Sequence, residues 1–160
     1  MLKIKIIAMG KLTEKAYRDA CAEFVKRLSR TYPVTFAEPK VENLPSNPTD
    51  GEIAQALKRE SERILDEVPP RAALVALCVE GREMPSEEFA SFIEKQANNG
   101  VSEICFVIGS SFGLSEEVKK RAVLRLSMSK MTFPHELFRV MLLEQIYRAA
   151  EITAGTRYHK

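Results

Sequence analysis

The sequence is poor in the residues that bind metals and form cross-links: 160 residues contain three cysteines and two histidines. Cys21, Cys78 and Cys105 are widely separated, no C-x-x-C occurs, and an odd number cannot all pair within one chain. Reduced thiols are therefore expected, with Cys78 and Cys105 buried among aliphatic neighbours, as suits a reducing cytosol. With only His135 and His159 besides, there is no zinc-ligand spacing, and no metal is expected. Long hydrophobic runs are missing as well. None approaches the ~20 residues of a membrane span, and Met1 to Gly10 is too short and too charged for a secretory leader. A cytoplasmic protein without membrane contact is expected.

Glycine and proline are sparse, at seven and eight, while 45% of residues are hydrophobic and 29% charged. These proportions exclude a disordered or collagen-like chain. The length fits one domain, 1–160, burying roughly 70% of its unfolded surface. Neither a G-x-G-x-x-G fingerprint nor a G-x-x-x-x-G-K-[ST] phosphate loop occurs. No Ser-His-Asp or Cys-His arrangement is visible to suggest a hydrolase.

The net charge of +2 conceals an asymmetry. The first 118 residues hold fifteen Lys/Arg against nineteen Asp/Glu, and the last 42 hold nine against three. A sign change of this kind points to a polyanionic partner or, more simply, to a solvated basic face.

Short β-rich runs alternate with helical stretches. Leu2 to Met9, Pro33 to Glu38, Ala72 to Val79, Ile104 to Ile108 and Val123 to Met128 read as strands. The third and fourth are nearly continuous apolar runs, as expected of strands covered on both faces. Thr13 is the expected cap of a helix ending near Arg30, Thr49-Asp50-Gly51-Glu52 has capping-box form, and Ser86 is the expected cap of a helix closed by Asn98-Asn99-Gly100. Lys40 to Asp50 reads as a loop, a short helix starts at Ser115, and Pro134 opens a long one to about Thr153. The alternation predicts an α/β fold with a mostly parallel sheet. The last helix is apolar around most of its circumference, which predicts burial on more than one side: either it is central to the domain or, the favoured reading, it packs on its own sheet and on a partner, most simply in a homodimer.

Two strand ends carry small residues, Gly81 after the third strand and Gly109-Ser-Ser-Phe-Gly113 after the fourth. Both lie where α/β proteins bind ligands, although ordinary tight turns explain each equally well. Ser127 to His135 combines hydroxyls, Met128, Met131 and Phe133 with Lys130, a composition suited to an apolar, heteroaromatic ligand or to a plug in the core.

Taken together, Phe106-Val-Ile-Gly-Ser-Ser-Phe-Gly-Leu-Ser115, Leu126-Ser-Met-Ser-Lys-Met-Thr-Phe-Pro-His135, Arg139-Val-Met-Leu-Leu-Glu-Gln-Ile-Tyr-Arg-Ala149 and the terminal Tyr158-His159-Lys160 resemble the RlmH family. The opening Ile4-Lys-Ile-Ile-Ala-Met-Gly-Lys11 resembles the family's start. The resemblance implies a SPOUT-type α/β-knot, with a C-terminal trefoil knot, in a homodimer. It implies a methyltransferase that uses S-adenosylmethionine to methylate N3 of a pseudouridine in 23S (large-subunit) rRNA on the assembled ribosome, with no DNA substrate. Carried over by position, the cofactor would be held by Leu77, Gly109, Met128, Ser129, Lys130, Met131, Thr132 and Phe133.

Methyl transfer from a sulfonium is an in-line displacement, so the enzyme must align the groups and help remove the N3 proton. On this reading Arg148, Tyr158 and His159 are the catalytic candidates, with His159 the base on intrinsic pKa. Lys130, His135, Arg139 and Lys160 are candidate RNA contacts. One departure stands out: the chain has Gly109-Ser110 where the family it resembles usually has Gly-Gly. It leaves an alternative reading, a non-catalytic ribosome-associated RNA-binding factor of the same fold.

Overall fold

The computed structural model describes all residues, Met1–Lys160. Five strands and five helices alternate as β1 (Lys3–Ala8), α1 (Lys15–Leu28), β2 (Val34–Ala37), α2 (Asp50–Asp66), β3 (Ala73–Arg82), α3 (Ser86–Asn98), β4 (Glu103–Ile108), α4 (Glu116–Arg121), β5 (Leu124–Leu126) and α5 (His135–Thr153). The strands form one sheet in the order β2-β1-β4-β3-β5, and every pairing is parallel. All carboxyl ends therefore lie along one edge, which gathers the loops after β3, β4 and β5.

Strand alternation divides the core between the two faces of the sheet. Ile4, Ile6, Val75, Ile104 and Phe106 face a cluster completed by α1, α3 and α5, including Leu28, Ile93, Leu142, Leu143 and Ile146. Ile7, Leu74, Ala76, Cys105 and Val107 face a smaller cluster with Ile64 of α2 and Val118 of α4. Each fully buried Ile or Leu contributes about 1.5–3 kcal/mol. α5 packs between α1 and α3, with Leu142, Leu143, Ile146, Ala149 and Ala150 buried and Val140, Met141 and Tyr147 half-buried.

Local signals account for several boundaries. Thr49 forms the expected capping box with Glu52, and Gly100 ends α3 at φ +81°. Two caps differ from expectation. Thr13 lends no side-chain cap; Glu14 holds the cap position, and Glu136 of α5 accepts hydrogen bonds from the Thr13 and Glu14 amides. Pro85 rather than Ser86 precedes α3, and the Ser86 hydroxyl donates to Gln145 at 2.7 Å. In both cases α5, distant in sequence, supplies the partner. Pro134 likewise precedes the first helical residue, His135.

β3 runs three residues past the expected end, and its extension passes close to β5. A Cβ on Gly81 would lie 2.8 Å from the backbone of Arg125 and Leu126, so glycine is required there by close approach. The Ser127 amide donates to the Arg82 carbonyl at 3.0 Å, tying the chain leaving β5 to the end of β3. Cys21 and Cys105 are buried, Cys78 is half-buried, and all three are free thiols. Burial pushes the Cys105 thiol up to about 12. No helix is long and apolar enough to cross a membrane.

Candidate active site

The carboxyl ends of β3, β4 and β5 enclose a cleft of about 310 Å³, in the range of ~300–1,000 Å³ usual for small-molecule sites. Its apolar lining comes from Leu77 and Val79 at the end of β3, Ile108 and Phe112 around β4, and Met128, Met131 and Phe133 after β5. Seven of the eight expected cofactor residues line it: Leu77, Gly109, Met128, Ser129, Met131, Thr132 and Phe133. Lys130 does not; its side chain is exposed at the crest of the loop.

Gly109 has no room for a side chain. A Cβ there would sit 2.5 Å from the Gly113 carbonyl oxygen and 3.0 Å from Leu114. The Gly113 amide donates to the Ser110 carbonyl at 2.8 Å, and Gly113 itself has φ +82°. The loop thus closes on itself as a tight turn, exposing backbone to the cleft at a place only glycine permits. Such a floor, between apolar walls and a lining that also carries Glu80, Lys119, Ser129, Thr132 and His135, suits a small ligand with both apolar and polar parts.

At the mouth, Lys119 of α4 is ion-paired with Glu80 of β3. The hydrogen bond from Lys119 holds the Glu80 carboxyl below its usual range and raises the lysine in turn. His135 and Phe138, from the first turn of α5, complete the wall. Phe112 and Glu80 lie within the two strand-end motifs and Lys119 within the basic last 42 residues, but sequence alone assigns none of them to the cleft.

Arg148, Tyr158 and His159 come together, but away from the cleft. The Arg148 guanidinium donates to Glu144 at 2.6 Å, lies 5.0 Å from the centre of the Tyr158 ring, and approaches His159 Nδ1 at 3.5 Å. His159 Nε2 lies 2.7 Å from Glu87 of α3, and this hydrogen bond lowers the Glu87 carboxyl. Tyr158 packs edge-on against Tyr147 at 4.8 Å. Burial, then the neighbouring Glu144, pushes the Tyr158 phenol up, so it remains a neutral hydroxyl at neutral pH. Hydrogen bonding to Glu144 raises Arg148 further, making it a permanent cation. Glu144, Glu87 and Tyr147 hold this tail in place; Glu144 and Tyr147 lie within the Arg139–Ala149 motif, whereas Glu87 lies in no motif. None of the three catalytic candidates lines the cleft of the same chain.

The expected RNA contacts divide. Lys130 and Lys160 are exposed, and His135 is exposed at the rim of the cleft. Arg139 differs from expectation: it is 4% exposed, paired with Glu38 at 2.8 Å and donating to the Gly10 carbonyl at 3.2 Å. A guanidinium buried in an internal ion pair is out of reach of phosphate. Arg139 instead locks the start of α5 to the segments following β1 and β2. The Ser110 hydroxyl is also engaged internally, donating to Glu60 of α2 at 2.7 Å.

A family model described as "Predicted SPOUT methyltransferase" matches residues 2–159. The chain is 45% identical over 159 residues to a protein of Streptococcus thermophilus named "Ribosomal RNA large subunit methyltransferase H", covering 99% of this chain and all of that one. A protein of the same name from Carboxydothermus hydrogenoformans is 43% identical with the same coverage. Among solved structures, a probable methylase family protein from Haemophilus influenzae aligns with a TM-score of 0.55 at 13% identity, over 98% of this chain and 70% of that one. This last likeness concerns the fold alone.

Proposed function

Because the chain belongs to the SPOUT methyltransferase family, we propose that it transfers a methyl group from S-adenosylmethionine to N3 of a pseudouridine in large-subunit rRNA on the assembled ribosome. The observation that carries the reading is full-length identity of 45% to a protein named a large-subunit ribosomal RNA methyltransferase, joined to a cleft built from the motif residues. When bound, S-adenosylmethionine supplies an electrophilic methyl group. Leu77, Met128 and Phe133 line the apolar part of the cleft and would hold it there, with the backbone around Gly109 as the floor.

The reaction needs the N3 proton removed and the resulting negative charge stabilised. Arg148 supplies a fixed cation for that charge, worth about 10²–10³ in rate where such donors are preorganised. Tyr158 is uncharged and offers a stacking face and a donor. His159 is the base; its Nε2 donates to Glu87, so to act there it must release Glu87 and take the tautomer that leaves Nε2 unprotonated. Lys130, His135 and Lys160 contact phosphates.

The working unit in this reading is a homodimer whose C-terminal part forms a trefoil knot. Its support is the separation between cleft and tail in one chain, which a second copy's tail would bridge. Val79, Phe112 and Met131 stand 47%, 47% and 73% exposed around the cleft and offer an apolar rim for that copy.

The test uses labelled S-adenosylmethionine, purified protein and ribosomes lacking the modification, with the label mapped by nuclease digestion and mass spectrometry. Label at N3 of a large-subunit pseudouridine is expected; label on another nucleotide, or none, overturns the substrate assignment. Mixed dimers of Gly109→Ala and Arg148→Ala subunits should recover activity that neither homodimer has, because one composite site then retains both intact parts. No recovery refutes the shared site.

A further inference from the structure

Beneath the cleft, two consecutive residues of α2 reach up to the loop that follows β4. Glu60 is 3% exposed and Ser61 is 1% exposed, unusual burial for a polar pair on a helix otherwise studded with charge. Glu60 Oε1 accepts the Ser110 hydroxyl at 2.7 Å, and Ser61 shares a hydrogen bond with the Ser115 hydroxyl. The loop is thus held near both ends from one turn of one helix. Glu60 Oε2 accepts the Glu42 amide at 2.9 Å. Both oxygens are used as acceptors, the pattern of an ionised carboxylate. Glu42 in turn is gripped by Arg59 at 3.0 Å and Arg63 at 2.8 Å.

Burying a carboxylate is unfavourable unless its hydrogen bonds are satisfied, so the arrangement makes the Ser110 hydroxyl the partner Glu60 requires. Ser110 is the first residue of the tight turn that puts Gly113 against Gly109 and Phe112 over the cleft. Fixing Ser110 therefore fixes the backbone that a cofactor would meet.

We propose that Glu60 is a positioning residue for the cofactor site, acting through Ser110 to hold the loop 109–115 in its binding shape. This rests on the reading of the cleft as the S-adenosylmethionine site. It also gives a use to the Ser110 hydroxyl, which anchors the turn through a side chain.

The experiment measures S-adenosylmethionine binding by titration calorimetry on the full-length protein, with amide hydrogen exchange on the ligand-free protein as a second readout. Ser110→Gly and Glu60→Ala should each raise Kd about five- to tenfold, the size of one net hydrogen bond. The double variant should be no worse than Glu60→Ala, because both changes remove one link. Glu60→Gln should stay within about twofold of wild type, since its amide can donate to Ser110 Oγ while its oxygen accepts the Glu42 amide. Amides 110–114 should exchange faster in Ser110→Gly while those of α3 do not change. If Glu60→Ala does not fold, Ser110→Gly and Glu60→Gln still decide the matter. Wild-type affinity in Ser110→Gly, or multiplying losses in the double variant, overturns the positioning role alone. Absence of binding by the wild type overturns the cleft reading and this inference with it.

Discussion

Two loops line the cleft, and they are held in different ways. The loop 109–115 is anchored from below, by Glu60 to Ser110 and Ser61 to Ser115, and packed so closely that Gly109 touches Gly113. The loop 127–134 is tied to β3 only at its start, by the Ser127 amide, and beyond that is held by itself: the Ser127 hydroxyl donates to the Ser129 carbonyl and the Met131 amide to the Ser129 hydroxyl, each at 3.0 Å. Lys130, Met131 and Thr132 stand exposed. One wall is thus preorganised, and the other can adjust to what enters. Binding gains most where the ordering is complete beforehand, so the anchored wall should tolerate change poorly and the self-held wall well.

Gly109→Ala should have the largest effect. Its Cβ meets backbone, not a flexible side chain, so the anchored turn must open. A loss of cofactor affinity of about a hundredfold or more is expected by calorimetry, with the far-ultraviolet spectrum unchanged. Normal affinity would show that this wall yields as easily as the other.

Gly81→Ala strikes the support of the second wall, where the β3 extension crosses β5. Overpacking of this kind costs about 1–3 kcal/mol, which in a chain of this size lowers Tm by roughly 2–4 °C per kcal/mol. A thermal melt that does not move would mean β5 shifts freely.

Lowering the pH tests the ties beneath the anchored wall. Hydrogen bonds from Arg59 and Arg63 hold the Glu42 carboxyl below its ordinary 4.5. A depressed folded-state value means the contribution is fully present above 4.5 and is lost as pH falls through the folded value. Protection of the amides around Glu42, corrected for intrinsic exchange, should hold from neutral pH to about 4.5 and then decline. The pair is partly exposed, so salt should weaken the effect. Protection that falls between pH 7 and 5 contradicts it.

Ser129→Ala should have the smallest effect, a change in cofactor Kd of less than about threefold, because its bonds stay within one loop and are worth about 1 kcal/mol net. A tenfold loss would erase the contrast between the walls.

Much of this architecture was legible in the chain. Continuous apolar runs at Ala73–Leu77 and Ile104–Ile108 marked buried parallel strands, and seven of eight motif residues do line one cleft. What stayed hidden depends on partners far away in sequence. Thr13 looked like a cap, yet its amide is bound by a carboxylate 123 residues later. Arg139 looked like one more surface cation, because nothing local indicates that Glu38 and Gly10 enclose it. Glu60 sits within Lys58-Arg59-Glu60-Ser61-Glu62-Arg63, a stretch that reads as a solvated face, and only the sheet's other loops show it to be buried. The sheet order was equally out of reach, since parallel neighbours leave no turn between them to read.

That order has a consequence for how the chain is made. β1 lies between β2 and β4, and its six-residue register with β4 joins Lys3–Ala8 to Glu103–Ile108. At ~5–20 residues per second of synthesis, about 5–20 s separate the emergence of these two strands. Throughout that interval Ile4, Ile6 and Ile7, all destined for complete burial, lack their main partner, and the loops of the cleft have no frame. β1 thus emerges well before the strand that completes its pairing, and the sheet cannot close until β4 has followed.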